Sequence, residues 1–314
     1  MKEIGGYFNL ELSDRGGFLH DDGILLNSCR NALEYVLLSI NPKRIWLSKY
    51  TCDSVFQPVH HLNIDYKFYS IDNELEIVDA NLVEGDVILY TNYFGIKDSY
   101  VKLLAEKYGK QLIIDNAQSF YSDRIPGIAT IYSPRKFVGV PDGGIAYVDN
   151  PIPVNLKQDQ SYDRCRHLLR RYDESASEGY SDFKVNDEYL DDKEILSMSE
   201  LTKAILRGID YGEIKEKRIH NFKYLHEKLQ KSNKLNINID NILCPMVYPY
   251  LIGNGAELRK QLIAEHIYVA TYWPNVLNDY NHNTVEYGLA ESIIAFPIDQ
   301  RYNLKDMNFI LSKI

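Results

Sequence analysis

Lys136 sits in the run YSPRKFVGVPDGG, three residues after Ser133 and seven and eight before Gly143 and Gly144. A lysine amine can hold a carbonyl compound as a Schiff base, and its pKa moves readily in a partly desolvated site. The preceding IATIY predicts a short buried strand, so the lysine falls in the loop leaving that strand's carboxyl end, where open α/β sheets carry their chemistry. Asp115 ends another apolar run, IIDNAQSF, one element earlier. Ser28, Cys29, Arg30 and Asn31 occupy the first turn of an expected helix, which offers free backbone amides and a guanidinium to an anion. Tyr50 comes just after a further strand, in LSKYTCDSVF. Taken singly, each has a plainer reading: a solvated loop lysine, a turn-forming aspartate, a capped helix with an exposed arginine, a packing tyrosine.

Together they match the needs of pyridoxal 5'-phosphate. Its aldehyde requires a lysine that can lose its proton, the role that fits Lys136. Its pyridine nitrogen stays protonated only beside a carboxylate, the role that fits Asp115. The phosphate calls for amides and hydroxyls at a helix start, the ring for an aromatic plate, and a glycine pair lets backbone approach closely without a Cβ.

These residues need a scaffold, and the chain alternates helical and strand patterns from about residue 28. SCRNALEYVLLSI has a helical apolar stripe at Ala32, Leu33, Val36, Leu37 and Ile40, and KDSYVKLLAEKYG is a second helix with a glycine stop. RIWLS, YKFYSI, DVILYTNYFG, KQLIIDNAQ, GIATIYS and GGIAYVDN are short apolar runs. Helices between continuous apolar strands predict an α/β fold with a mostly parallel central sheet covered on both faces. Residues 155–194 are rich in Asp, Glu, Ser, Tyr and Arg with little periodicity, and read as a polar excursion or flap. A long amphipathic stretch beginning SELTKAILRGIDYGEIKEK follows, then short strand and helix patterns to the end. We expect a large cofactor-binding domain over 1–213 and a small α+β domain over 214–314.

Composition narrows the function. The 314 residues carry 35 basic and 44 acidic side chains, a net charge of -9, with no basic run interleaved with aromatics, which argues against nucleic acid. Cys29, Cys52, Cys165 and Cys244 are widely spaced and suggest neither a disulfide framework nor a metal site. The N-terminal stretch lacks a continuous apolar core and no run of eighteen apolar residues occurs, so no secretion signal or membrane span is expected and a cytoplasmic location is.

The sequence resembles the DegT/StrS-type sugar aminotransferases. The similarity runs with gaps from about Ser28 to the C-terminus. It is carried by Asp115, Ala117 and Gln118, which match that family's Asp-x-Ala-Gln at a strand end, and by Lys136 preceding Gly143-Gly144 about twenty residues on. MSELTKAILRGIDY and AESIIAFPIDQRYNLKD are similar to two further family segments. The resemblance implies fold type I of the aspartate aminotransferase superfamily. It makes Lys136 the cofactor lysine and general acid/base, Asp115 the partner of the pyridine nitrogen and Gln118 a ring-side contact, with Tyr50 where the family stacks an aromatic on the cofactor. The family's Gly-Thr in the first phosphate-binding helix is here Cys29-Arg30, followed by Asn31, and its phosphate serine, five before the lysine, is Ile131. Ser133 is placed as in the aspartate aminotransferase branch. The family's Asn-x-Arg-Met, which reaches the phosphate from a neighbouring subunit, aligns with Ile195, Leu196, Ser197 and Met198, so Arg30 is expected to replace that contact. The chain is also short for the family.

The implied activity is transfer of an amino group from glutamate to a keto sugar, nucleotide-linked, by a homodimer. RCRHLLRRY is the one basic cluster that could meet a nucleotide diphosphate, and reads more readily as a solvated helical face. Alternatives stay open: non-transaminase chemistry on the same cofactor, for which relatives typically replace the lysine with histidine, or a non-catalytic cofactor-binding protein acting through partners. An unrelated nucleotide binder would need G-x-G-x-x-G or G-x-x-x-x-G-K-[ST], and neither occurs.

Overall fold

Strands form where apolar residues run without polar interruption. A computed structural model describes residues 4–153, 155–240 and 242–314. Its first half runs β1 (Ile24–Leu26), α1 (Cys29–Ile40), β2 (Arg44–Ser48), α2 (Phe56–His61), β3 (Asp65–Tyr69), β4 (Asp86–Thr91), α3 (Asp98–Tyr108), β5 (Leu112–Asn116), β6 (Ala129–Tyr132) and β7 (Gly144–Tyr147). These strands form one sheet in the order β1-β7-β6-β5-β4-β2-β3. The pairs β3–β2, β2–β4, β4–β5 and β5–β6 are parallel, and β7 runs antiparallel to both of its neighbours. The mostly parallel α/β sheet is therefore as expected.

Side-chain alternation divides the core between the two faces. Val87 and Leu89 of β4 join Ile45, Leu47, Ile113 and the buried stripe of α1, whereas Ile88 and Tyr90 join Ile114, Tyr132 and the C-terminal elements on the other face. Burying each such Leu, Ile or Val stabilises the fold by about 1.5–3 kcal/mol. Helix α1 begins at a capped serine: Ser28 Oγ accepts from the Asn31 amide at 3.1 Å. It ends at Asn41, whose φ of 51° is left-handed.

The excursion is more ordered than its composition suggests. It forms α4 (Arg166–Asp173) and α5 (Tyr180–Tyr189), held by charge pairs rather than an apolar stripe. Arg170 reaches Glu174 at 2.7 Å and Asp182 at 3.2 Å, and the buried Arg164 meets Asp159 at 2.6 Å. The long amphipathic stretch is broken near Gly208 into α6 (Glu200–Arg207) and α7 (Tyr211–Leu229). The expected boundary at 213 and 214 falls in the first turn of α7. Beyond it lie β8 (Val247–Leu251), α8 (Gly255–Ala264), α9 (Pro274–Asp279), α10 (Val285–Ser292), β9 (Ile293–Pro297) and α11 (Leu304–Leu311), with β8 and β9 antiparallel in a separate sheet. Arg218 of α7, 2% exposed, donates to the carbonyls of Met246 at 2.9 Å and Phe137 at 3.2 Å, and Gln300 donates to the same Phe137 carbonyl at 2.8 Å. No helix among the described residues is long and apolar enough to cross a membrane.

Two glycines separate packing from propensity. A Cβ on Gly144 would fall 2.1 Å from the Ser28 carbonyl oxygen, a backbone atom that cannot yield, while a Cβ on Gly288, within α10, meets nothing within 4 Å. Gly144→Ala is expected to destabilise the protein by about 3 kcal/mol or more. Gly288→Ala should stabilise it by roughly 0.5–1 kcal/mol. Thermal or denaturant unfolding of both variants checks this, and an unaltered melting point for Gly144→Ala would contradict the packing described.

Candidate functional site

The carboxyl ends of β2, β4, β5 and β6 and the start of α1 surround a cavity of about 280 Å³. Asp115 reaches it from the end of β5. Its Oδ1 accepts from the Ala117 amide at 2.8 Å and its Oδ2 from Thr91 Oγ1 at 3.1 Å, which fixes the carboxyl plane. Burial pushes this carboxyl up, against the opposing pull of Lys136 and the two hydrogen bonds.

Lys136 follows β6 on a single helical turn, Pro134–Lys136, and opens onto the same cavity. No group among the described residues accepts a hydrogen bond or forms an ion pair with its ammonium. Burial alone would lower the lysine's pKa, but the acidic groups around it, Cys52 and Asp115 foremost, outweigh that and leave it above the ordinary value. Lysine and aspartate thus feel each other's charge across the cavity without touching.

The third wall is the start of α1. The amides of Cys29 and Arg30 precede the two donors taken up by Ser28 and have no partner within the helix. Ser28, Cys29, Arg30 and Ser133 all line the cavity. The glycine pair makes this possible: Gly143, at φ 123°, donates its amide to the Asn27 carbonyl at 2.7 Å, and Gly144 brings β7 against Ser28. Preceding them, the buried Asp142 accepts from the Ser199 amide at 2.8 Å and from Thr202 Oγ1, pinning the start of α6. The close approach is thus between backbone and helix start.

Gln118 is fully buried at the cavity edge. Its Oε1 accepts from the Phe94 amide at 2.7 Å, and its Nε2 has no partner among the described residues. An orphaned donor there suits a ligand carrying a ring oxygen. With a carboxyl, a lysine and free helix-start amides on the other walls, the residues present fit pyridoxal phosphate.

Two of the expected residues stand elsewhere. Asn31 turns away, its Nδ2 donating to the Lys193 carbonyl at 2.8 Å and to Glu34 at 3.2 Å, so it ties α1 to the end of the excursion. Tyr50 is fully buried beneath the wall, its ring edge-on to Trp273 at 5.0 Å, and the next residues, Thr51 and Cys52, line the cavity instead. The segment Ile195–Met198 lies along β1 of its own chain, with Met198 donating to the Leu25 carbonyl at 3.1 Å.

Sequence reasoning missed Arg135, Asp187, Tyr272 and Trp273, which also border the cavity. Arg135 carried a signal, its place between the serine and the lysine. The other three come from stretches without a chemical pattern, and only the folded chain brings them here. Basic residues of the RCRHLLRRY cluster, Arg164 and Arg170 among them, are taken up by carboxylates of the excursion itself.

No protein-family model matches the chain, and no curated protein matches it by sequence. Solved structures do match it. A DegT DnrJ EryC1 StrS aminotransferase from Brucella abortus is 16% identical, the match covering 92% of this chain and 84% of that one, with a TM-score of 0.62. DesV from S. venezuelae, in complex with a ketimine intermediate, is 15% identical over 93% of this chain and 83% of its own, with a TM-score of 0.67. NtdA from Bacillus subtilis, with bound cofactor PMP, is 13% identical over 92% of this chain and 72% of its own, with a TM-score of 0.62. Across nearly its whole length the chain has the fold of these aminotransferases.

Proposed function

We propose that this protein is a pyridoxal phosphate-dependent aminotransferase that moves an amino group from glutamate to a keto sugar carried on a nucleotide. The observation that carries the reading is Lys136 and Asp115 facing one cavity without contact, with a capped helix start and its unpaired amides closing one end. The sugar aminotransferases among the structural neighbours support the substrate class: DesI, for one, was crystallised with its TDP-sugar product. We place the reaction in the cytoplasm and the active form as a homodimer.

The cofactor supplies an electron sink when bound. With the cofactor bound, Lys136 would anchor it, and the lysine's free amine would serve as the proton carrier at the reacting carbon. Asp115, oriented by Thr91 and the Ala117 amide, would hold the proton on the ring nitrogen. Gln118 Nε2 gives the ring oxygen a donor. Ser133, Arg30 and the Cys29 and Arg30 amides would hold the phosphate, the Ser28 hydroxyl being engaged with Asn31. Tyr272 and Trp273, brought in from the C-terminal part, line the cavity and would limit the water that reaches it.

Two experiments test this. Protein mixed with pyridoxal phosphate should turn yellow, borohydride should fix the label on Lys136, and glutamate should bleach the colour. Lys136→Ala should lose about 10²–10⁴-fold in turnover. Absence of colour, or a label on another lysine, defeats the reading. The second measures capture rate against pH. Because the Lys136 ammonium lies above the ordinary lysine value, free amine and hence capture rate should rise about tenfold per pH unit between pH 7 and 9. Asp115→Asn removes one cause of that elevation and should shift the profile to lower pH while turnover falls by about 10²-fold or more. An unshifted profile contradicts the electrostatic coupling.

A further inference from the structure

The phosphate end of the cavity holds more charge than the proposed function uses. Arg30 Nη2 lies 2.8 Å from Asp191 and 3.9 Å from Asp187, and Arg135 Nη1 lies 3.1 Å from the other oxygen of Asp187. Both guanidiniums are largely buried, at 16% and 15% side-chain exposure, whereas Asp187 and Asp191 are 44% and 50% exposed. Arg30, Arg135 and Asp187 all line the cavity beside Ser28 and Ser133. The buried Nε of Arg30 has no partner among the described residues, so its donor set is incomplete even with both aspartates in place.

Two buried guanidiniums converging on one spot require an anion. In this structure a carboxylate from the end of α5 supplies it. Asp187 arrives with the excursion, placed by its neighbour Asn186, which donates to the Pro141 carbonyl at 2.8 Å. A phosphate dianion bound at Ser133 and the α1 amides would meet Asp187 as a like charge, and the two cannot share the arginines without strong repulsion. Guanidinium forks suit phosphate geometry at least as well as carboxylate.

We propose that Arg30 and Arg135 form a two-arginine clamp for the phosphate of the ligand, and that Asp187 on α5 holds the clamp as an internal anion which that phosphate must displace. This rests on reading the cavity as a pyridoxal phosphate site. Phosphate binding then releases the end of α5, and a ligand without a phosphate leaves α5 where it is. Asp187 sets selectivity by competition.

The test compares pyridoxal phosphate with pyridoxal in equilibrium titrations, read by absorbance and protein fluorescence. Arg135→Gln should weaken pyridoxal phosphate by roughly 10-fold or more, as loss of a charged hydrogen bond does, and leave pyridoxal unchanged. Asp187→Asn should tighten pyridoxal phosphate several-fold, again without effect on pyridoxal. Weaker or unchanged phosphate-ligand binding in Asp187→Asn overturns the displacement, and an unchanged ratio of the two ligands in Arg135→Gln overturns the clamp. Because Arg135→Gln could disturb folding, amide exchange of residues 180–191 in the unaltered protein gives an independent readout. Exchange should quicken with pyridoxal phosphate and not with pyridoxal, and unchanged or slowed exchange counts against the proposal. Inorganic phosphate separates this from the cofactor reading. Thermal protection by phosphate over chloride at equal ionic strength, present in the unaltered protein and lost in Arg135→Gln, would sustain the clamp even if no cofactor bound. Neither colour nor phosphate protection defeats both.

Discussion

The contact between Gly144 and Ser28 governs the geometry of everything around it. Strand β7 comes so near the start of α1 that no side chain fits between them. The strand is also the one that runs against the direction of its neighbours, pairing with β6 on one side and β1 on the other. A helix beginning at that seam points its unpaired amides over the carboxyl ends of β5 and β6, where Asp115 and Lys136 emerge. Two loops and a helix start, distant in sequence, thereby share one cavity. Asp142, anchored to the first residues of α6, holds the turn that sets up the approach.

What the sequence makes legible follows from how local the cause is. Val87 to Tyr90 and Leu112 to Ile114 are apolar without interruption, as a strand buried on both faces requires. Ser28 is a cap by residue type and position, and the structure gives its Oγ to the Asn31 amide. Asp115, Gln118 and Lys136 line one cavity because each follows closely on the end of a strand, and Gly143-Gly144 leads into β7. Tyr50 shows where such reasoning stops: its position after β2 was evident, yet a one-residue difference in which side chains face the cavity put Thr51 and Cys52 there instead. Asp187, Tyr272 and Trp273 were invisible because long-range packing, and no local pattern, delivers them.

Residues 155–194 carry the same lesson in their physics. Little apolar periodicity suggested little order, but α4 and α5 are held by Arg170 and Arg164 acting on carboxylates within the segment. Such pairs are individually weak at a surface and count as a network. Order built on charge responds to charge, so the segment's stability and its hold on the cavity draw on the same interactions.

Phe137, the residue after the lysine, has its carbonyl oxygen gripped by Arg218 and by Gln300, both from the C-terminal part of the chain. The backbone at the reactive position is thus riveted to α7 and to the turn before α11, and has little freedom to shift when ligands come and go. In the proposed reaction, all the travel between anchoring a ligand and shuttling its proton would fall to the four methylenes of one side chain. The reach of that side chain, set by its bond lengths and torsions, would then fix how far apart the two reacting carbons can lie.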